Sequence, residues 1–262
     1  MSTTAGTGAR MKTGATAVLR VPYHIDDYLP GLDLPLAGGR VITAPMSGGD
    51  VWHRLARLYT VVAAAVAGTV RDGGLPVVVS GDCTTALGTV AGLQEAGIDP
   101  GIVWIDAHGD LQTLETTTSG YLGGLPLRLL AGYRPGLIAR PLGLRPVPEQ
   151  RIVLAGARDL DPPEAEYLAS AAIRQASLEE LAAALPAGPL YVHLDLDITD
   201  PGELPGLRYP AYGGPPPFAV ASTLRSLLAT GRAAAVGIAC TWHPGHRADA
   251  RTRPYLEAAL AA

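Results

Sequence analysis

Hydrophobic and polar positions alternate along the chain in two textures. Short, mainly apolar runs occur at 75–80 (LPVVVS), 101–105 (GIVWI), 151–156 (RIVLAG), 190–197 (LYVHLDLD) and 233–242 (AAAVGIACTW), with an earlier one in TAVLRVPY at 16–23. Runs of this length with little polar alternation predict strands buried on both faces. Between them lie segments with apolar residues at helical spacing. GDVWHRLARLYTVVAAAVAGTVRDGG predicts a long amphipathic helix stopped by Gly73 and Gly74. Further helices are expected in CTTALGTVAGLQEAG, after Asp161 in DPPEAEYLASA, in SLEELAAAL, in PPFAVASTLRSLLATG and in DARTRPYLEAALAA. Asp161 precedes two prolines, as suits a helix start, and Ser177 with Glu180 has capping-box spacing. HIDDYLPGLDLPLAGG at 24–39 reads as a long loop, and the small polar residues 1–14 as a disordered tail. Strands alternating with helices predict an α/β protein whose parallel sheet is covered on both faces. With no linker and no repeat, residues 15–262 read as one domain.

Composition narrows the class. At 262 residues and 48% hydrophobic, the chain can build a large core. A net charge of −4 argues against nucleic acid as a partner, because phosphate binding needs a basic surface. No apolar run reaches membrane-spanning length, and no basic start precedes an apolar stretch as in a leader. Cys83 and Cys240 are too few for a disulfide framework. These features predict a cytoplasmic enzyme acting on a small molecule. They leave open whether it is a monomer or a homo-oligomer.

The chemistry gathers at strand ends. LPVVVS is followed by Asp82 and Cys83, GIVWI by Asp106, His108 and Asp110, RIVLAG by Asp159 and Asp161, and LYVHLDLDITDP holds Asp195, Asp197 and Asp200. Ligands of parallel sheets bind beyond these ends. Spacing of two in DAHGD and DLD puts side chains on one side of an extended backbone. Singly, such an Asp is more often a turn or cap former, and a lone Cys a small buried hydrophobe. Together, these carboxylates, an imidazole and a thiol converge unfavourably unless cations lie between them. The donor count suits two divalent ions sharing bridging carboxylates, a pair that activates water and polarises an electrophile.

At these residues the chain resembles the arginase–agmatinase (ureohydrolase) family. SGDC resembles Gly-Gly-Asp-His, WIDAHGD matches Asp-Ala-His-x-Asp, and LDLDITDP matches Asp-x-Asp-x-x-Asp-Pro. TTTSGYLGGLP and GARDLDPPE resemble two further family segments. The resemblance implies an arginase-like three-layer α/β/α fold and a dimanganese hydrolase of guanidino compounds. By position it implies one ion on Cys83, Asp106, Asp110 and Asp195, and another on Asp106, His108, Asp195 and Asp197. It also implies that Gln112 and Ser119 hold a substrate α-carboxylate, that Asp161 holds the α-amino group, and that Glu164 sits nearby.

Three positions depart from the family. Cys83 replaces a histidine ligand, which leaves zinc, iron or cobalt as alternatives to manganese. Gly123 stands where arginases have the histidine thought to shuttle protons. Thr241, in ACTWHP, replaces the glutamate that pairs with the guanidinium. The first two departures resemble one branch, the Nω-hydroxy-L-arginine hydrolase of D-cycloserine biosynthesis, whose products are hydroxyurea and ornithine. The expected activity is therefore hydrolysis of a modified guanidino amino acid. An arginase or agmatinase giving urea is an alternative, and an inactive homologue that acts by binding is another.

Overall fold

Eight of the extended segments pair into one parallel sheet. The computed structural model describes residues 14–261. The expectation for the 1–14 tail lies outside those residues except at Gly14, whose amide donates to the Gly73 carbonyl at 3.0 Å. The elements run β1 (Thr16–Val21), β2 (Tyr23–His24), β3 (Asp27–Tyr28), β4 (Arg40–Val41), α1 (Val51–Arg71), β5 (Leu75–Ser80) and α2 (Ala86–Glu95). β6 (Gly101–Ile105), α3 (Pro126–Leu130), α4 (Ala139–Leu142), β7 (Ile152–Ala155), α5 (Pro162–Ser170), β8 (Arg174–Ala176) and α6 (Leu181–Ala184) follow. β9 (Leu190–Asp195), α7 (Pro217–Ala229), β10 (Ala233–Ala239) and α8 (Ala248–Leu260) complete the order. The sheet order is β4-β1-β5-β10-β9-β6-β7-β8. No helix is long and apolar enough to cross a membrane, among the described residues.

Each central strand feeds two cores, as expected for a sheet buried on both faces. On β6, Ile102 and Trp104 join Leu55, Val62 and Val90 of α1 and α2. Val103 and Ile105, from the same strand, join Val220, Leu224 and Leu256 of α7 and α8. The result is three layers, helices over sheet over helices. α1 starts at Asp50, whose carboxylate accepts from the His53 amide at 2.9 Å. It ends before Gly73, which takes a positive φ of 80°, a conformation glycine adopts without strain.

The structure departs from the sequence pattern at the edges. The expected loop at 24–39 opens on the β2–β3 hairpin, and β4 and β8 are strands that the apolar pattern does not mark. Both lie at the ends of the sheet, and their residues are mostly exposed. SLEELAAAL yields only the short α6. The Ser177–Glu180 box does form, with reciprocal 3.2 Å bonds. The helix cannot run on because Leu185 precedes Pro186 and takes an extended ψ of 134°, as pre-proline residues do.

The strand order creates the site. β5 and β6 follow one another in the chain yet are separated in the sheet by β10 and β9. The helices that follow β5 and β6 pack on one face of the sheet and those that follow β9 and β10 on the other, so neighbouring strands send the chain to opposite faces, which opens a crevice at their carboxyl ends.

Candidate metal centre

Four central strands each deliver a donor or a supporting group into that crevice. At the end of β5, a Cβ on Gly81 would lie 2.4 Å from the Tyr23 carbonyl oxygen, so only glycine fits. Asp82 caps the turn at Cys83–Thr85, accepting from the Thr84 amide at 2.7 Å and the Ile25 amide at 2.6 Å. Asp82 is therefore structural, and it turns Cys83 toward the neighbouring strands. The buried thiol lies 2.8 Å from Asp195 Oδ2 and 4.0 Å from Asp106 Oδ2.

β6 ends at Ile105, so Asp106, Ala107 and His108 are not on the extended backbone expected from their spacing. A turn gathers them instead. Asp106 Oδ1 accepts from the His108 amide at 2.7 Å, and Oδ2 accepts from Trp104 Nε1 at 3.1 Å. His108 Nδ1 lies 3.4 Å from Asp106 Oδ1 and 3.2 Å from Asp197 Oδ2. Asp110 has a positive φ of 52°, an uncommon conformation that aspartate tolerates better than most side chains. Its buried Oδ2 has no hydrogen-bond partner among the described residues. After β9 the chain tightens into a turn over Leu196–Ile198, so DLD is not extended either. Asp195 Oδ1 accepts from the Asp197 amide at 2.9 Å, and Oδ2 accepts from Thr241 Oγ1 at 2.6 Å. Asp197 Oδ1 is buried and unpartnered among the described residues.

These groups raise one another's proton affinity. Burial, then the charges of Asp106 and Asp195, pushes Asp110 up. Burial, then Asp197 and Asp106, does the same to Asp195. Asp197 is pushed up to about 7 by burial and by Asp106. Burial, then Asp195, raises the Cys83 thiol. Burial disfavours a charged His108, but its bonds to Asp106 and Asp197 prevail and hold it up to about 12. Carboxylates so placed lack positive charge, and two orphaned oxygens mark where it is missing. Two donor groups have ligand atoms within 4.8 Å of one another, Cys83–Asp106–His193 and Asp106–His108–Asp197; Asp110 and Asp195, also expected as ligands, fall in neither. Asp106 is common to both, as a bridging carboxylate would be. Sulfur, nitrogen and oxygen donors at this spacing fit divalent transition ions.

Above the cluster is a cavity of about 370 Å³, lined by Cys83, His108, Asp110, Asp195, Asp197 and Thr241 on one side. Its other wall carries Gln112, Ser119, Asp161 and Glu164. Gln112 Nε2 donates to Asp161 Oδ2 at 2.7 Å, and Gln112 Oε1 accepts from Thr116 Oγ1 at 2.7 Å. Ser119 is exposed, and its Oγ accepts from the Tyr121 amide at 3.2 Å. Both Glu164 oxygens are engaged by backbone, with the Leu111 amide at 2.9 Å and the Asp161 amide at 3.1 Å. Glu164 thus ties the Asp110 loop to the start of α5.

Two residues here carry no mark in the sequence. Tyr121 fills the space beside Gly123: a Cβ on Gly123 would stand 2.2 Å from its ring and 2.3 Å from its hydroxyl. No periodicity marks a loop tyrosine. His193 sits in an apolar run without a motif of its own, yet it lies two residues before Asp195 and so on the same face of β9.

A family model described as the arginase family matches residues 7–240. Among curated relatives, the arginase of Bacillus caldovelox is 34% identical over 168 residues, 58% of this chain and 56% of that protein. The N(omega)-hydroxy-L-arginine amidinohydrolase of Streptomyces lavendulae is 33% identical over 153 residues, 56% of this chain and 54% of that protein. The chain thus spans about half the length of the curated relatives it matches. The native structure of Bacillus caldovelox arginase superposes with a TM-score of 0.78 at 23% identity, covering 94% of this chain and 97% of that one. Entamoeba histolytica arginase in complex with L-ornithine superposes with a TM-score of 0.81 at 18% identity, covering 96% and 100%. These two likenesses show the fold.

Proposed function

The chain belongs to the arginase family, and from that premise we propose that it hydrolyses Nω-hydroxy-L-arginine to hydroxyurea and L-ornithine at a centre of two divalent ions. Cys83, Asp106, Asp110 and Asp195 would hold one ion, and Asp106, His108, Asp195 and Asp197 the other. Manganese is the family's metal, and zinc, iron and cobalt are the alternatives that a thiolate ligand favours. When bound, such ions lower the proton affinity of water and polarise the carbon under attack.

The protein's own groups set orientation and charge. Trp104 Nε1 donates to Asp106 and Thr241 Oγ1 to Asp195, the two carboxylates that both ions would share. Gln112, Ser119 and Asp161 sit on the far wall, where an α-amino acid head group would lie. Asp161 offers an anion to its ammonium, and Ser119 a donor to its carboxylate. Tyr121 closes the side of the cavity next to Gly123.

The observation that carries the substrate assignment is Thr241, buried and bound to Asp195 where the family usually has glutamate. Arginine's guanidinium has a pKa of about 12.5–13.8 and enters as a cation. Placing it beside two metal ions calls for a nearby anion, and Thr241 supplies none. An N-hydroxyl withdraws electrons and lowers the basicity, so the hydroxyguanidine can enter neutral. The hydroxyl of Thr241, donating to Asp195, keeps lone pairs with which to accept from the substrate's N–H or O–H. The Streptomyces lavendulae relative carries an activity of this name.

The test is paired kinetics with product analysis. kcat/KM should favour hydroxyarginine over L-arginine by at least about tenfold, a barrier difference of roughly 1.4 kcal/mol. Thr241→Glu should narrow that gap by improving arginine. Equal or better turnover of L-arginine by the parent protein, with urea as product, would establish the arginase reading instead.

A further inference from the structure

We infer that His193 is an additional ligand to the ion at the Cys83 end of the centre, binding through the Nε2 nitrogen that no protein group satisfies. The inference rests on the two-ion reading above and adds a residue outside the family's motifs.

His193 is 2% exposed, and its Nε2 has no hydrogen-bond partner among the described residues. Buried ring nitrogens are seldom left unpaired, so this nitrogen is placed to bind an ion. A ring nitrogen of His193, the Cys83 sulfur and an Asp106 oxygen lie within 4.8 Å of one another. Donors that share one ion through bonds of about 2.0–2.3 Å fall within that span. The other ring nitrogen, Nδ1, is 3.0 Å from the Tyr191 hydroxyl. Metal-bound histidines usually donate their second N–H to such an acceptor, which fixes the tautomer and the ring.

The surroundings hold that arrangement. His193 stacks on Trp104, ring centroids 3.6 Å apart and planes at 18°. The same indole donates to Asp106, so one side chain orients two members of the group. A Cβ on Gly237 would stand 2.2 Å from the Tyr191 hydroxyl, so glycine there leaves the hydroxyl its place. The Cys83 end would then offer sulfur and nitrogen beside its carboxylates, and should take a softer ion than the His108 end.

The experiment uses the full chain labelled with 15N-histidine and loaded with 113Cd. One nitrogen of His193 should show scalar coupling to cadmium, and His193→Gln should remove that signal. Zinc titration should give two sites in the parent protein. His193→Gln and Tyr191→Phe should each weaken the Cys83-end site by about tenfold or more, the usual cost of losing a metal's supporting contact. Tyr191→Phe keeps the ring and its packing, so the measurement survives if His193→Gln folds poorly. Two ions bound, with His193 uncoupled and the affinity of Tyr191→Phe unchanged, would overturn this inference alone. A parent protein that binds no divalent ion would overturn the two-ion centre with it.

Discussion

Replacing Gly123 by alanine probes how the cavity wall is built. The new Cβ would stand 2.2 Å from Cε1 and Cζ of Tyr121 and 2.3 Å from its hydroxyl. Carbon atoms settle about 3.5–4.0 Å apart, so the ring must retreat by roughly 1.3–1.8 Å. That movement draws it from His24, stacked at 5.6 Å, and from Tyr209, at 4.7 Å. Each aromatic pair contributes about 0.5–1.5 kcal/mol beyond buried area, so losing both costs about 1–3 kcal/mol. An opposing term exists, because Gly123 is not at positive φ. Alanine there strains nothing and stiffens the unfolded chain, a gain of about 0.4–1 kcal/mol. The balance is a destabilisation of about 1 kcal/mol, read by urea unfolding or as a Tm fall of roughly 2–4 °C. KM for hydroxyarginine should rise as the wall shifts. A histidine at 123 needs still more of the same space, so Gly123→His should not confer arginine hydrolysis unless Tyr121→Ala accompanies it. If Gly123→Ala is as stable as the parent with unchanged KM, Tyr121 does not fill that space.

Three further outcomes follow from the site. Asp106→Ala or Asp195→Ala should lower the content from two ions to one or fewer by elemental analysis, and two tightly held ions in either variant would remove the bridging roles. Divalent metal should protect Cys83 from alkylation and a chelator should expose it, while Cys240, fully buried, stays unlabelled in both states; equal labelling of Cys83 in both would count against its ligation. In metal-free protein, Asp197 is raised from 3.8 to about 7 and His108 from 6.5 to about 12. The stability each contributes is complete below its unfolded value and disappears as pH rises through the folded one. His193, lowered from 6.5 to about 3, acts in the opposite sense only below 6.5. From pH 6.5 to 9 the metal-free protein should therefore lose about 1.4 kcal/mol per pH unit for each proton by which the two states differ. A Tm that climbs over this window in chelator-treated protein would contradict the charge pattern, and bound ions should flatten the slope because they require the deprotonated carboxylates.

The parts of this fold that were legible in the sequence are those whose burial is complete. β5, β6, β7, β9 and β10 are mainly apolar runs because helices cover both of their faces. β4 and β8 left no such trace, since an edge strand is held by backbone pairing and its side chains face solvent. α3 and α4 lie in the proline- and glycine-rich stretch between β6 and β7 and are too short for a helical period to show. In the site, strand-end position and spacing pointed to Asp106, His108, Asp195 and Asp197, although tight turns rather than extended backbone bring them together. Asp82 shares that position but serves as a cap, and only its hydrogen bonds tell it from a ligand. His193 was hidden by its apolar neighbours Val192 and Leu194, while Tyr121 meets Gly123 through loop geometry that no local pattern encodes.

The strand order also bears on how the molecule is made. On a ribosome, β1, β4, β5, β6, β7 and β8 all emerge before β9 and β10, the two strands that fill the middle of the sheet. Until about residue 240 has left the exit tunnel, β5 and β6 face an empty slot with unpaired backbone edges and apolar flanks. Long-range parallel pairing is slow, and exposed strand edges invite association between chains. The nascent chain is therefore most vulnerable just before it completes the cluster, and anything that slows translation of the last third should cost yield through aggregation.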